Sequence, residues 1–227
     1  MNIVITGCSK GIGAELVKLL SRDHKVYGLS RDLGALEKLK SDLTYSSNFH
    51  FVQADIKELN QELISSWIGV DTVDVLINNA GLLINKNFID ISYEDYKNIM
   101  DVNFWGVFHI TQLLFDKLSL AKGQIINISS MGGVNYSSKF PGLSLYSSSK
   151  GALTILSECL AEEFKTHHIR VNALALGAVQ TEMLNMAFPD YKANVSSEQM
   201  ASFIIRFVNS VGDVLNGQVV KVTSSNP

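Results

Sequence analysis

Short apolar runs alternate along the chain with longer stretches of helical periodicity. The apolar runs are Ile3–Thr6, Val26–Ser30, His50–Asp55, Val73–Asn79, Gln124–Ser130, Ile169–Leu176 and Gln218–Val222. Several are apolar at nearly every position, which is typical of parallel strands covered on both faces. The stretches between them predict helices over Gly13–Leu20, Leu33–Leu43, Glu58–Trp67, Ser92–Leu118 and Tyr146–Phe164, and a last helix after Ser196. The alternation predicts an α/β fold with a doubly wound, seven-stranded parallel sheet between two layers of helices.

Length and composition limit the class of protein. The chain has 227 residues, 46% of them hydrophobic and 18% charged, with a formal net charge of -3. We expect residues 1–227 to form one domain, whose substrate site is built from the irregular segments 131–145 and 177–195, because both follow strand ends. The slight acidity gives no general attraction to nucleic acid or to an anionic membrane. No run of 18 apolar residues predicts a membrane span.

The cysteines and the start of the chain point to a cytoplasmic location. Cys8 and Cys159 are the only cysteines, and they match no metal-site or disulfide spacing. A strand that begins at Ile3 leaves no room for a signal peptide. We therefore expect a cytoplasmic protein without a metal site.

A glycine-bearing turn, Thr6–Gly13, lies between the first strand and the first helix. Its glycines permit a tight turn and a close approach of backbone amides to phosphate, and the helix N-terminus adds partial positive charge. Glycines also make ordinary turns, so the trio alone is a weak signal. Its position after the first strand favours binding of a dinucleotide pyrophosphate.

Six motifs, in order along nearly the whole chain, make the sequence similar to the short-chain dehydrogenase/reductase family. They are T-G-x-x-x-G-x-G at Thr6–Gly13, N-N-A-G at Asn78–Gly81, an Asn at Asn103, a Ser at Ser130, Y-x-x-x-K at Tyr146–Lys150 and R-V-N at Arg170–Asn172. The resemblance implies a Rossmann-type fold and a dinucleotide-dependent oxidoreductase that interconverts a small-molecule carbonyl and an alcohol. With the glycine turn, it implies cofactor contacts from Gly7, Ser9, Lys10, Gly11, Ile12, Gly13, Arg31, Asp55, Ile56, Asn79, Ala80, Gly81, Tyr146, Lys150 and Thr181.

Tyr146 and Lys150 are the expected proton-transfer residues. Four residues apart on a helix, they share one face, although an ordinary amphipathic pair has the same spacing. A free Tyr has a pKa of about 10, and a nearby ammonium lowers that pKa. We therefore expect Lys150 to lower the pKa of Tyr146, and Tyr146 to exchange a proton with the substrate oxygen.

Two further residues complete the catalytic set. A serine at the end of the fifth strand can hydrogen-bond the substrate oxygen. Ser129 and Ser130 compete for this role because consecutive strand residues face opposite ways, and the resemblance favours Ser130. It also implies that Asn103 holds a water next to Lys150, while the alternative is a buried structural amide. Ser130 and Tyr146 are sixteen residues apart, a few more than in many relatives.

The end of the second strand indicates the preferred cofactor. It reads Leu29-Ser30-Arg31, without the acid that accepts a hydrogen bond from the ribose 2′-OH of NAD. Arg31 and Lys10 can instead flank a 2′-phosphate, although Asp32 follows at once and two solvated surface charges are the alternative. We therefore expect NADP(H) to be preferred over NAD(H).

The long fourth helical stretch is unusually apolar around Phe104, Trp105 and Phe108. One explanation is that these residues pack in the core. The other, which the resemblance implies, is that they form an interface in a homodimer or homotetramer. Two other functions compete with the enzyme. A non-catalytic NADP(H)-binding sensor on the same fold predicts a lost Tyr or Lys, and both are present. A sugar epimerase or dehydratase of the related longer type needs a larger C-terminal substrate domain.

Overall fold

Parallel strands form the central sheet of the computed structural model, which describes residues 1–211 and 214–223. The described strands are β1 (Asn2–Thr6), β2 (Lys25–Ser30), β3 (Phe49–Gln53), β4 (Val75–Asn78), β5 (Gln124–Ser130), β6 (Arg170–Leu176), β7 (Val179–Gln180), β8 (Val195–Ser196) and β9 (Val219–Val222). Seven of these pair in the order β3-β2-β1-β4-β5-β6-β9, every pair being parallel. The order reverses between β1 and β4, and ligands bind at the carboxyl ends of strands beside such a reversal.

Helices cover both faces of this sheet. They are α1 (Gly11–Leu20), α2 (Leu33–Asp42), α3 (Gln61–Trp67), α4 (Tyr93–Met100), α5 (Gly106–Ala121), α6 (Ser144–Glu163), α7 (Glu182–Ala187) and α8 (Ser197–Arg206). Alternate residues of β1 enter different cores: Ile3 and Ile5 pack with α1, α2 and α8, whereas Val4 packs with α3, α5 and α6. The predicted doubly wound, three-layer fold is thus confirmed.

The long helix predicted from Ser92 is interrupted by a wider turn. It begins with the expected capping box, in which Ser92 and Asp95 bond each other's backbone amides. Residues Asp101–Trp105 then form a π-helical turn before α5 continues to Ala121. Such turns occur mostly as single wide turns within helices, frequently at functional sites. This one contains Asn103, a candidate catalytic residue.

Two predicted elements differ in the structure. The helix expected over Glu58–Trp67 begins only at Gln61, because the Asn60 side chain caps it by accepting from the Leu63 amide at 2.9 Å. The segment 177–195, expected to be irregular, contains α7 and the parallel pair β7 and β8. The capping box at Ser196 that starts α8 is confirmed. Within the described residues, no helix is both long and apolar enough to cross a membrane.

Candidate active site

The glycine turn between β1 and α1 packs against the chain that leaves β4. Gly7 and Gly11 have φ angles of +65° and +55°, which other residues rarely adopt. A Cβ on Gly7 would lie 2.7 Å from Ala80 Cα, and one on Gly13 would lie 2.4 Å from the Gly7 carbonyl oxygen. Lys10, at the N-cap of α1, gives its helix no side-chain cap. The first amides of α1 are therefore available to an anionic group, which fits a dinucleotide pyrophosphate.

Asn79 and Thr6 brace this turn. Asn79 Nδ2 donates to the carbonyl oxygens of Thr6 at 3.1 Å and Gly7 at 2.9 Å. The buried Thr6 Oγ1 accepts from the amides of Asn79 and Ala80, at 3.1 and 3.0 Å. The Asn79 amide group, expected beside the adenosine, is thus used to shape the turn. Sequence reasoning did not single out Thr6, although a polar residue that ends a fully apolar strand is a usable signal.

Thr181, which lies between β7 and α7, is close to the same turn. Its Cγ2 would lie 3.4 Å from a Cβ on Gly11, so the two residues are neighbours. Thr181 Oγ1 accepts from the Leu184 amide at 3.2 Å and thereby caps α7. Ile12, the remaining expected contact in the turn, is partly buried against the core. The predicted contact of Thr181 with the cofactor stays a prediction.

The two cations expected at a 2′-phosphate each lie near a carboxylate. Arg31 Nη1 lies 3.9 Å from Asp55 Oδ2, and Lys10 Nζ lies 3.8 Å from Asp32 Oδ2. Lys10 Nζ also lies 3.4 Å from Glu182 Oε2. Both cations are more than half exposed, and such surface pairs contribute about 0–1 kcal/mol. The ion pairs are therefore weak enough for a phosphate to replace them.

Side chains at the end of β2 and after β3 pack closely beside these two cations. Ser9 Oγ and Ser30 Oγ share a hydrogen bond of 2.7 Å, which joins the glycine turn to the end of β2. Asp55 Oδ1 accepts from the Lys57 amide at 3.1 Å. The buried Ile56 packs against Gly106, where a Cβ would lie 2.8 Å from its Cγ2. The residues expected beside ribose and adenine therefore surround one corner of the sheet.

Ser130 is the serine beside Tyr146. Its side chain lies close enough to that of Tyr146 to lower the pKa of the phenol, and its Oγ accepts from the Gly132 amide at 3.1 Å. Ser129 faces the other way and donates to the Lys150 carbonyl oxygen at 3.0 Å. The geometry therefore supports Ser130 over its neighbour, as the strand alternation requires.

The expectation that Lys150 lowers the pKa of Tyr146 is wrong for this structure. Burial raises the pKa of Tyr146 above its ordinary value, and the neighbouring Ser130 hydroxyl only opposes that rise. The Lys150 ammonium instead donates to the Ile128 carbonyl oxygen at 2.8 Å, and burial lowers its pKa to about 8. Tyr146 therefore keeps its proton at neutral pH.

Asn103 and Lys150 converge on Gly81. A Cβ on Gly81 would lie 3.5 Å from Lys150 Nζ and 3.6 Å from Asn103 Oδ1. Asn103 Nδ2 donates to the Leu82 carbonyl oxygen and to Ser149 Oγ, both at 2.9 Å, while Oδ1 accepts from the Leu82 amide at 2.7 Å. Asn103 therefore ties the chain after β4 to α6, and Ser149 is a partner that sequence reasoning missed.

A cleft of about 640 Å³ lies between the loop after β5 and the start of α6, and neither Ser130 nor Tyr146 lines it directly. Its walls come from the chain after β4, the loop after β5 and the start of α6. The lining residues are Asn87, Phe88, Gly132, Gly133, Val134, Asn135, Lys139, Phe140, Pro141, Gly142, Leu143, Ser144, Ser147 and Ser148. The long loop on one side is tied by Lys139, whose ammonium donates to the Gly132 and Val134 carbonyl oxygens, both at 2.7 Å. The extra loop residues therefore build a wall of the cleft.

The fold and this site together define an α/β oxidoreductase of the NAD(P)-binding type. The sequence pattern of the short chain dehydrogenase family matches residues 1–192, and the chain belongs to that family. It is 33% identical over 187 residues to carbonyl reductase [NADPH] 2 of Sus scrofa, covering 81% of this chain and 73% of the relative. It is 34% identical over 193 residues to an NADPH-dependent pterin aldehyde reductase of Arabidopsis thaliana, covering 82% and 78%.

Solved structures show the same fold over nearly the whole chain. The structure of ElxO with NADP bound has a TM-score of 0.82 and 26% identity, covering 97% of this chain and 96% of the other. A 3-ketoacyl-(acyl-carrier-protein) reductase from Brucella melitensis complexed with NADH has a TM-score of 0.85, covering 97% and 96%. At 24% identity, this second likeness bears on the fold alone.

Proposed function

We propose that the protein interconverts a small-molecule carbonyl and an alcohol with NADP(H), with Tyr146 as the general acid and base. The observation that carries the proposal is the proximity of Ser130, at the carboxyl end of β5, to Tyr146 on α6, with the buried Lys150 one turn further along that helix. This arrangement supports proton transfer by Tyr146, because parallel sheets bind their ligands at the carboxyl ends of the strands.

Each side chain has a separate task in this reaction. The bound nicotinamide supplies or accepts the hydride at the substrate carbon. Tyr146, whose raised pKa keeps it protonated at neutral pH, donates its proton to the carbonyl oxygen in the reductive direction. Ser130 hydrogen-bonds the same oxygen. Lys150, protonated below about pH 8, returns a proton toward Tyr146.

The preference for NADP(H) rests on the corner at the end of β2. Ser30 stands where an acid would accept from the 2′-OH of NAD, and Arg31 and Lys10 lie beside it. Their carboxylate partners are weak competitors for a phosphate, because these pairs are exposed. Two relatives, carbonyl reductase [NADPH] 2 and an NADPH-dependent pterin aldehyde reductase, are named for NADPH, which supports this preference.

We also propose that the whole chain acts as one cytoplasmic nucleotide-binding domain that self-associates. Trp105 is 44% exposed, and its ring stacks on Phe108 at 5.8 Å and on His109 at 5.2 Å. An ordered aromatic surface of this kind supports association with a second copy.

Replacing Tyr146 with Phe tests the catalytic assignment. Only the hydroxyl is lost, so turnover should fall by roughly 10²–10⁴-fold, the contribution of general acid catalysis. NADPH binding, followed by fluorescence, should survive. Near-native turnover in a cofactor-binding Phe variant would sink the assignment. Tight NADPH binding by the wild type without turnover of any carbonyl in a broad panel would favour a non-catalytic sensor.

A further inference from the structure

Asn85 lies where three segments around the site meet. Its Nδ2 donates to the carbonyl oxygen of Ala187, the last residue of α7, at 2.8 Å. Its Oδ1 faces Gly142 in the loop after β5, where a Cβ would lie only 1.9 Å away. The amide of Lys86 donates to the Gly142 carbonyl oxygen at 3.0 Å. One side chain thus joins α7 to the opposite wall of the site.

The other end of α7 is attached to the glycine turn. Thr181, at its N-cap, lies against Gly11, and Glu182 lies 3.4 Å from Lys10. No residue of the six-residue helix is buried. A helix this short is not stable alone, so its position depends on the contacts at its two ends. α7 therefore forms a strap across the site. It runs from the glycine turn, which fits a pyrophosphate, to Asn85.

We propose that Asn85 is a positioning residue that latches α7 across the cofactor site and sets how fast the dinucleotide leaves. The inference rests on the proposed function, because it takes the glycine turn to hold the cofactor. A dinucleotide on that turn lies next to the start of α7. The strap must move for it to leave, and the Asn85–Ala187 hydrogen bond breaks in that movement.

The dissociation rate of NADPH tests the latch. Stopped-flow fluorescence, with excess NADP+ to trap the released site, should show faster dissociation from Asn85→Ala by about two- to tenfold, the range of one ordinary hydrogen bond. The association rate should change less. Asn85→Asp keeps an oxygen toward Gly142 but loses the donor, so it should release NADPH as fast as the Ala variant.

The matched control is Asn98→Ala. Asn98 Nδ2 donates only locally, to Glu94 Oε1 at 3.1 Å on the same helix, so its removal should leave NADPH dissociation unchanged. Gly142→Ala should displace Asn85 and speed dissociation as well. In the Asn85→Ala background, Gly142→Ala should cause no further increase in the dissociation rate, because both substitutions remove the same contact.

Hydrogen exchange of residues 182–187 separates the possible failures. Faster exchange together with faster dissociation supports the latch. Faster exchange with unchanged dissociation would reduce Asn85 to a structural residue and overturn the proposal. A wild-type protein that binds neither NADPH nor NADH would overturn both the latch and the proposed function. Binding without turnover would overturn only the catalytic assignment.

Discussion

Raising the pH above 8 should stabilise the wild-type protein relative to Lys150→Met. Burial lowers the pKa of Lys150 from 10.5 to about 8 in the folded protein. The unfolded chain keeps an ordinary lysine pKa of about 10.4. Between these two values the unfolded chain binds a proton that the folded protein has released. The free energy of unfolding therefore rises with pH in this window.

The size of the effect follows from the shift in pKa. At about 1.36 kcal/mol per unit, the shift corresponds to roughly 3 kcal/mol in total. About 2 kcal/mol of this should appear between pH 7 and pH 9.5. Below pH 8 the lysine is charged in both states, so the cost of burying it is then nearly constant. The side chain is 4% exposed, so solvent screening reduces the effect little.

Urea unfolding at fixed ionic strength measures this difference. Midpoints and slopes from pH 7 to 9.5 give the free energy of unfolding of each variant, and groups common to both cancel in the difference. Lys38→Met, which removes an exposed lysine of α2, is the control and should follow the wild type. If the Lys150→Met curve runs parallel to that of the wild type, the ammonium is not desolvated and its place in the proton relay is wrong.

Three further predictions concern activity, cofactor and assembly. The kcat/KM for carbonyl reduction should fall as pH rises through about 8, because Lys150 then loses its proton, and a flat profile to pH 9.5 would contradict this. Arg31→Ala should weaken NADPH by roughly tenfold or more while sparing NADH, and Ser30→Asp should favour NADH, both measured by fluorescence titration; equal weakening of both cofactors by Arg31→Ala would refute the phosphate contact. Light scattering at micromolar concentration should show a dimer or tetramer that Trp105→Asp shifts toward monomer, and a wild-type monomer would return Trp105 to a structural role.

The strands were predictable because each buried run carries its signal locally. In the predicted strand Ile3–Thr6, the residues Ile3, Val4 and Ile5 are all apolar because both faces of β1 are covered, and the structure extends this strand by only one residue. The segment 177–195 carries no such signal. The short strands β7 and β8 and the helix α7 form there because of contacts made elsewhere, such as the Asn85–Ala187 bond across 102 residues of sequence.

The site shows the same division between local and distant information. The Y-x-x-x-K spacing places Tyr146 and Lys150 on one face of α6, as the helix repeat requires. The carbonyl group that binds the Lys150 ammonium belongs to Ile128, and backbone acceptors leave no trace in side-chain motifs. The direction of the Tyr146 pKa shift was wrongly predicted because its largest cause is burial of the phenol, which the fold determines and a side-chain motif does not show.

Asn103 shows what the wide helical turn contributes to the site. Buried positions continue through the π turn at Ile99, Val102, Asn103, Gly106 and Val107, so the buried stripe of the helix includes one polar side chain, that of Asn103. There its amide group pairs with both backbone groups of Leu82 and with Ser149 Oγ on α6. Loss of that amide would leave partly buried polar groups without their partners, at about 1–3 kcal/mol each. Asn103 therefore fixes α6 against the chain after β4, in addition to its proposed role in holding water.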